Sequence, residues 1–207
     1  MIMKGKFITF EGPEGCGKST QSRLLSEYLK RKGFGVVYLR EPGGVKISEK
    51  IRKILLDPRS QISPIAETLL YMAARAEVVD TIIKPALSHG KIVICDRFLD
   101  STVVYQGYGL GISIDLIRRL GDFVTDGIKP NLTILLDLPL KKGLKHRQLK
   151  KDRIEERPFS YHLRVKKGYL HLAVLEPKRI KIVRVENTKG RTQGKIRELT
   201  NRFFKKS

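Results

Sequence analysis

Short apolar runs and longer amphipathic stretches alternate along this chain. Each apolar run is bounded by glycine, proline or charged residues, which is typical of a buried strand. Between the runs, apolar residues recur at helical spacing, as Leu24, Leu25, Tyr28 and Leu29 do. Strands that alternate with helices predict an α/β fold with a five-stranded parallel sheet flanked by helices on both faces. The five predicted strands are Lys6–Glu11, Gly35–Arg40, Lys91–Arg97, Leu132–Leu138 and Ile180–Val185.

Residues that favour helix boundaries mark the predicted helices. Gly33 ends the helix that follows the first strand. Pro64 suits the first turn of a long helix that runs to about Ser88, and Pro85 is expected to kink its last part. Pro139 opens a further helix. The other predicted helices span residues 47–56, 100–107, 112–125, 159–175 and 192–204.

The loop after the first strand matches the phosphate-binding motif G-x-x-x-x-G-K-[ST]. Its glycines let the backbone curl until several N–H groups point inward, next to a helix N-terminus that attracts phosphate oxygens. In this motif the lysine binds the β- and γ-phosphates and the serine hydroxyl binds Mg²⁺, so Lys18 and Ser19 are the candidates. The predicted ATP-binding residues are Gly12, Pro13, Glu14, Gly15, Cys16, Gly17, Lys18, Ser19 and Thr20.

Other polar residues are placed to face the same ligand. Asp96 ends a hydrophobic strand, the arrangement that holds Mg²⁺ in many nucleotide-binding proteins, so it joins Ser19 as a predicted metal-site residue. Arg40 and Glu41 also follow a strand, at the sheet edge where ligands bind. Glu41 is equally consistent with a plain turn residue.

The charge of the chain bears on its partners. The 207 residues carry 42 Lys and Arg against 21 Asp and Glu, a net charge of +21. Such an excess suits nucleotides and also allows nucleic-acid binding. The segment 141–157 holds eight basic and three acidic residues. We interpret residues 1–207 as one domain with this segment as a mobile insert. With no signal peptide, no membrane-length apolar run and two cysteines outside any metal-ligand spacing, we expect a cytoplasmic protein.

Five segments together resemble the thymidylate kinase family of bacterial type, which are P-loop nucleoside monophosphate kinases. The combination is selective because many families share the first segment, but few share the others. The segments are Phe10–Thr20, Arg40–Gly44 (Arg-Glu-Pro-Gly-Gly), Leu69–Arg75, Asp96–Gln106 (with Asp-Arg-Phe) and Asp152–Glu155. The resemblance implies a P-loop NTPase fold with a small lid, a homodimer, and transfer of phosphate from ATP to dTMP with Mg²⁺.

The resemblance also implies roles for the substrate-binding residues. Glu14 would accept the 3′-hydroxyl of dTMP, and Arg97 would bind the acceptor phosphate; a structural partner of Asp96 is the alternative for Arg97. Tyr71 stands where the family usually has a phenylalanine stacked on thymine, and Arg75 would donate to thymine O4. Both lie on one helix face, and a flat pyrimidine needs such a ring and donor. The remaining residues around the base and sugar are Ser101, Thr102, Tyr105 and Gln106.

The lid should provide one more cation for catalysis. Residues 13–17 contain no arginine, whereas one branch of the family has one there. We select Arg147 and Arg153 from the 141–157 lid as catalytic residues beside Lys18, Arg97 and Asp96, because a guanidinium binds two phosphate oxygens at once. The point charges of Lys150 and Lys151, or a merely solvated basic surface, are the alternatives.

Two other functions fit parts of the pattern. One is a kinase of the same architecture that acts on another monophosphate, such as dUMP, dCMP or AMP, or on a deoxynucleoside. The other is a basic, nucleic-acid-binding P-loop ATPase. The sequence speaks against the second, because it holds no helix-turn-helix, RNP-like or zinc motif.

Overall fold

The five strands form one parallel sheet in this computed structural model, which describes residues 5–145 and 152–205. The strand order is β2-β3-β1-β4-β5, with β1 in the centre. Within the described ranges, none of the helices has the length and apolar character that a membrane span requires. The strands are β1 (Lys6–Glu11), β2 (Val36–Arg40), β3 (Ile92–Asp96), β4 (Leu132–Asp137) and β5 (Ile180–Arg184).

Helices connect the strands and cover both faces of the sheet. When the π-helical turns Val79–Ile83 and Val103–Tyr108 are counted with the helices that they continue, the helix bounds agree with the predicted ones to within a few residues, and the largest shift is in the last helix, which begins at Lys189 instead of residue 192. The helices are α1 (Lys18–Arg31), α2 (Lys46–Leu56), α3 (Pro64–Val78), α4 (Lys84–Ser88), α5 (Leu99–Thr102), α6 (Ile114–Thr125), α7 (Leu140–Lys145), α8 (Phe159–Leu175) and α9 (Lys189–Lys205).

The side chains of β1 alternate between two apolar layers. Ile8 and Phe10 pack on one face of the sheet with residues of α1 and α9. Phe7 points to the other face, where it meets Phe98 edge to face at 4.8 Å and joins residues of α3 and α4. This alternation follows from the two-residue period of a strand, and it buries the central strand on both sides.

The predicted kink near Pro85 takes the form of a wide helical turn. Ser63 caps α3 by accepting from the backbone N–H of Ala66, and Pro64 begins the helix. The helix then widens to a π-helical turn at Val79–Ile83, which leads into α4. Proline lacks an N–H and its ring crowds the carbonyl four residues earlier, so the turn before Pro85 cannot keep regular α-helical bonds.

The sheet register brings the polar strand ends together. Phe10 of β1 and Arg40 of β2 both lie opposite Asp96 of β3. The backbone N–H of Glu41 donates to the carbonyl oxygen of Asp96 at 3.0 Å. The loops that follow β1, β2 and β3 therefore meet at one edge.

Candidate active site

A cleft of about 880 Å³ opens beyond the carboxyl ends of β1, β2 and β3. Ligands of open α/β sheets bind at this edge. Most residues selected from the sequence line the cleft, from the phosphate-binding loop on one side and from α3 on another. They are Glu14, Gly15, Gly17, Lys18, Ser19, Thr20, Tyr71, Arg75, Asp96, Arg97, Ser101, Thr102, Tyr105 and Gln106.

A few selected residues lie elsewhere. Gly12, Pro13 and Cys16 belong to the loop but not to the lining, and Arg153 contacts other protein groups. Arg147 lies outside the described residues. The cleft also has lining residues that no motif indicated, because they come from helices and loops without a recognisable pattern. These are Arg23, Arg52, Leu56 and Lys189.

The phosphate-binding loop curls between β1 and α1. Gly15 has a φ of 70°, in the left-handed region that glycine adopts without strain. A Cβ atom at Gly15 would lie 2.0 Å from the carbonyl oxygen of Gly143, so only glycine fits. The Nζ atom of Lys18 donates to the carbonyl oxygen of Pro13 at 2.9 Å. The ammonium is thus held inside the loop, next to the N–H groups that attract phosphate.

Ser19 and Asp96 meet at the entrance to α1. The Ser19 hydroxyl donates to Oδ2 of Asp96. The other carboxylate oxygen, Oδ1, is buried and has no hydrogen-bond partner among the described residues. A hydroxyl and a carboxylate with a free oxygen are ligands that Mg²⁺ prefers, so the two residues fit a magnesium site.

Arg97 lies at the centre of a polar network. Its φ of 71° is unusual for a residue with a side chain, which is a strained conformation typical of functional positions. Its Nη2 atom donates to Glu14 at 2.7 Å, and the guanidinium lies 4.9 Å from the centre of the Tyr105 ring. Its Nη1 atom donates to the hydroxyls of Ser101 at 3.1 Å and Tyr169 at 3.3 Å. The partner of Arg97 is therefore Glu14, rather than Asp96.

The charge of Glu14 is stabilised by its neighbours. Burial by itself would raise the pKa of this carboxyl. The positive charges of Arg97 and Lys18 and the hydrogen bond from the Tyr105 hydroxyl outweigh burial and lower the pKa to about 2. Glu14 is therefore ionised throughout the neutral range and can accept hydrogen bonds from a ligand.

Glu11 is a buried carboxyl that the sequence analysis did not select. It accepts hydrogen bonds from the backbone N–H of Phe98 at 2.8 Å, Ser101 at 2.6 Å and Tyr169 at 2.8 Å. Burial, with a smaller effect from the charge of Asp100, raises the pKa of Glu11 to about 7. Tyr169 comes from α8, 158 positions away from Glu11, so no local motif could have indicated this cluster.

Arg75 and Glu41 form a buried ion pair. The Nε atom of Arg75 donates to Glu41 Oε2 at 2.7 Å, and both side chains are no more than 3% exposed. The Nη2 atom of Arg75 donates to the carbonyl oxygen of Phe98 at 3.1 Å. Burial raises the pKa of Glu41, and the charge of Arg75 opposes that effect. The surface ion pair that is the simplest alternative for such an arginine does not occur.

Glu67 of α3 is fully buried, and three side chains contact its carboxylate. Gln106 donates to its Oε1 atom at 2.8 Å. Arg153 lies 2.7 Å from its Oε2 atom, and Arg157 donates to the same oxygen. The Nε atom of Arg153 also donates to the carbonyl oxygen of Leu55 at 2.8 Å. Arg153 is thus tied to α2 and α3 in this structure, away from the phosphate-binding loop.

Comparison with known proteins decides the family. The family model described as thymidylate kinase matches residues 10–196 of the chain. The chain belongs to the thymidylate kinase family. Its phosphate-binding loop, Arg97 network and α3 face all fall inside the matched range.

Several members of the family are similar to this chain over nearly its whole length. The thymidylate kinase of Geotalea daltonii is 50% identical over 189 residues, which cover 86% of this chain and 88% of that protein. The one from Symbiobacterium thermophilum is 46% identical and covers 93% and 91%. The crystal structure of thymidylate kinase from Ehrlichia chaffeensis superposes with a TM-score of 0.77 at 36% identity, covering 95% of this chain and 98% of that one.

These findings confirm the predictions of family, of fold and of enzyme class. The chain is a thymidylate kinase family member with a five-stranded parallel sheet flanked by helices, as the alternation of strands and helices predicts. It is a phosphotransferase of the kinase type, for which ATP is the phosphoryl donor. The roles of individual site residues stay predictions.

Proposed function

We propose that this chain transfers the γ-phosphoryl group of ATP to dTMP and so produces ADP and dTDP for DNA synthesis. The observation that carries the proposal is the single cleft that joins the phosphate-binding loop to the Tyr71–Arg75 face of α3. Two nucleotides must lie end to end for direct transfer, and one cleft with a phosphate site and a base site allows this arrangement. The family match supports the same reaction.

The donor side of the cleft would bind the ATP phosphates. The curled loop around Gly15 offers backbone N–H groups, and Lys18 offers a positive charge to the β- and γ-phosphates. Ser19 and Asp96 would hold Mg²⁺, which supplies charge neutralisation for the transferred group when bound. Lys18 needs only to exchange the Pro13 carbonyl, 2.9 Å away, for a phosphate oxygen.

The acceptor side would bind the sugar and phosphate of dTMP. Glu14 is ionised and would accept the 3′-hydroxyl of the sugar. Arg97, which pairs with Glu14 at 2.7 Å, would bind the acceptor phosphate and so align its oxygen with the donor. Tyr105 donates to Glu14 at 2.8 Å, and with Glu14 on the sugar its ring would lie beside the 2′ position and disfavour a 2′-hydroxyl.

The base would lie against α3. The Tyr71 ring can stack on thymine, and Arg75 can donate to the O4 carbonyl. Ser101 and Thr102 would line the base, with Gln106 beside them. The hydroxyl of Thr102 is buried without a hydrogen-bond partner among the described residues, which is consistent with a polar atom reserved for a ligand.

The lid assignment is part of this proposal. Residues 1–207 would act as one kinase domain, with a lid at about residues 141–157 that supplies a transition-state cation. Arg153 could serve only by leaving Glu67 and Leu55, its partners in this structure. Arg147 is the other candidate and lies outside the described residues.

We also propose that the enzyme is a cytoplasmic homodimer. The helix α3 packs against both α2 and α6, and all three helices carry exposed apolar side chains, which supports a homodimer through this surface. Cys16 and Cys95 are buried free thiols, as expected of a protein in the reducing cytoplasm. The exposed large apolar residues on these three helices are Ile47, Ile54, Ile65, Leu69, Leu116 and Phe123.

A coupled ADP-release assay tests the reaction. The purified chain is assayed with dTMP, dUMP, dCMP or AMP, each with and without Mg²⁺. We expect Mg²⁺-dependent turnover with dTMP, and a kcat/KM at least about tenfold below it for dCMP, because a site built for a carbonyl group rejects an amino group. If kcat/KM is higher for another monophosphate, that monophosphate, and not dTMP, is the preferred substrate. Hydrolysis of ATP that needs DNA and no monophosphate would favour a nucleic-acid-dependent ATPase.

A further inference from the structure

Glu41 binds the Nε edge of the Arg75 guanidinium, and this contact fixes the orientation of the guanidinium. Glu41 Oε2 accepts from Nε at 2.7 Å, and the Phe98 carbonyl accepts from Nη2 at 3.1 Å. The Phe98 ring lies 5.3 Å from the guanidinium carbon, and the Met72 sulfur lies 3.5 Å from Nη1. These contacts come from three residues, which follow β2, follow β3 and lie one turn earlier on α3, and they leave Arg75 little freedom to turn.

The remaining N–H groups of Arg75 are the ones that a ligand can use. A guanidinium has five N–H bonds in a fixed plane. The Nε–H bond is engaged by Glu41, one Nη2–H bond by the Phe98 carbonyl and one Nη1–H bond by the Met72 sulfur, which leaves two N–H bonds for a ligand. Since Arg75 lines the cleft although its side chain is only 2% exposed, a ligand can meet only the outer rim of this guanidinium.

We propose that Glu41 is a positioning residue for base discrimination, which holds Arg75 so that its free N–H groups meet the carbonyl at position 4 of a pyrimidine. The inference rests on the proposed dTMP kinase function and adds to it a residue that acts through Arg75. Glu41 is well suited to this task because a short, buried, charged hydrogen bond is stronger than a neutral one.

The chemistry of the pyrimidine ring explains why direction matters. Thymine and uracil present a carbonyl acceptor at position 4, and cytosine presents an amino donor there. A fixed guanidinium that faces a carbonyl group makes a hydrogen bond to it. When the same guanidinium faces an amino group, the N–H of Arg75 and the N–H of the base are both donors, and both stay buried without an acceptor. If Arg75 can rotate, it turns its donors away from the amino group, and the penalty against cytosine falls. Glu41 would therefore raise the ratio of kcat/KM for dTMP to that for dCMP.

The substitution Glu41→Gln tests this inference. Gln keeps the size of the side chain and removes the charge that holds Nε of Arg75. We expect the dTMP to dCMP ratio of kcat/KM to fall about tenfold, because KM rises for dTMP, which loses a fixed donor, and falls for dCMP, while kcat for dTMP stays within about threefold of the unsubstituted enzyme. A loss of fold stability alone would lower the amount of active enzyme and leave the ratio unchanged. An unchanged ratio in folded E41Q would overturn the inference.

Two further variants make the test specific. Asp137→Asn removes the 3.0 Å ion pair with Lys166, outside the cleft lining, and should leave the ratio unaltered. In the double variant E41Q/R75Q, the ratio should match that of R75Q alone, because Glu41 acts only through Arg75. Additive losses would assign Glu41 a separate role and refute the inference.

A shorter acid covers the case in which E41Q does not fold. Glu41→Asp keeps the charge and withdraws the carboxylate by one methylene group. It should lower the ratio at least about threefold, since the hydrogen bond to Nε lengthens. A folded E41D with an unaltered ratio would overturn the inference. If the unsubstituted enzyme itself prefers a different monophosphate, the proposed function fails instead, so the two failures are distinct.

Discussion

Buried carboxylates of this chain hold the arginines that line or flank the cleft. Each pair joins residues from different elements, and each contact is 2.7 Å long. Charges that are paired before a ligand arrives need little reorganisation when it binds, which is the basis of electrostatic catalysis. The pairs are Glu14–Arg97, Glu41–Arg75 and Glu67–Arg153.

Lys18 is the residue whose loss should affect catalysis most. Lys18→Ala removes the ammonium inside the phosphate-binding loop and should cost roughly 3 kcal/mol or more of transition-state stabilisation. The measurement is kcat/KM for ATP at saturating dTMP. Lys195→Ala is the control, because Lys195 lies on α9 and pairs with Glu186. Near-normal turnover of K18A would contradict the assignment of the loop.

Glu11 should make the stability of the fold depend on pH. Its folded pKa of about 7 lies above the ordinary value of 4.5, so the folded state binds more protons between these values. Stability therefore falls as pH rises from 4.5 to 7 and is level above that, with a total effect of about 3 kcal/mol at most. Glu14 has its pKa lowered to about 2, so its contribution is lost only as pH falls below 4.5.

The substitution Glu11→Gln isolates this effect. Gln cannot ionise, and the hydroxyls of Ser101 and Tyr169 can reorient to bond with its amide. The free energy of unfolding, measured with urea at pH 5 and pH 8, should differ less in E11Q than in the unsubstituted protein. An equal difference in both proteins would assign the pH dependence to other groups.

Some residues of this site can be predicted from the sequence, and others cannot. Lys18 and Asp96 stand out because a motif or a strand end marks them. Glu11, Glu67 and Tyr169 escaped prediction, since a buried polar residue becomes meaningful only through partners far along the chain. Glu67 in particular lies within an ordinary helical pattern, and its partners Arg153 and Arg157 follow about ninety positions later.

At the scale of elements, α7 packs directly on the phosphate-binding loop. A Cβ atom at Gly143 would lie 2.5 Å from the carbonyl oxygen of Glu14, and a Cβ atom at Gly15 would clash with Gly143. Two glycines therefore allow close approach of the two backbones. Since α7 begins the predicted lid segment, this contact joins that segment to the loop that we propose binds the ATP phosphates.

Gly143→Ala should separate α7 from the loop. The added methyl group meets a backbone oxygen, so one of the two segments must shift. We expect KM for ATP to rise several-fold with little change in melting temperature, because alanine favours the helix by about 1 kcal/mol and so offsets part of the lost contact. Gly194→Ala in α9 is the matched control, since nothing lies within 4 Å of a Cβ atom there. Equal KM values for ATP in G143A and G194A would show that the contact of α7 with the loop does not affect ATP binding.

The order of elements follows from the sequence, whereas local deviations do not. Alternating buried runs and amphipathic stretches predict each strand and nearly each helix boundary. The π-helical turns at Val79–Ile83 and Val103–Tyr108 were not predicted, because a widened turn keeps the same residue types as a regular helix. The second turn carries Tyr105 and Gln106, so a feature invisible to periodicity orients two site residues.

At the scale of the whole molecule, the strand order 2-3-1-4-5 sets the site. Right-handed crossovers and a parallel sheet follow from the pattern of elements, but several strand orders satisfy them. The observed order places β2 and β1 on either side of β3, so that Glu41 and the phosphate-binding loop flank Asp96. The sequence analysis predicts a five-stranded parallel sheet without a strand order, because local patterns do not specify which strands are neighbours.

The apolar surface of α2, α3 and α6 should join two copies of the chain. A stable dimer buries about 1,200–2,000 Å² in total, with apolar side chains at the centre. Leu69 lies on α3, the helix that contacts both α2 and α6, and it is 49% exposed. Leu69→Glu places a charge in this face and should convert a dimer into a monomer.

Sedimentation equilibrium measures this change directly. The unsubstituted protein should have twice the chain mass of 23.6 kDa, and L69E should have the chain mass. Val174→Glu is the control, because Val174 is 75% exposed on α8, which packs against β5, and the substitution should leave the dimer intact. If the unsubstituted protein is a monomer, the dimer prediction is wrong. If V174E dissociates the dimer and L69E does not, the interface lies on α8 instead. Because α3 also carries Tyr71 and Arg75, L69E should raise KM for dTMP as well, if pairing of the two copies holds this helix in position.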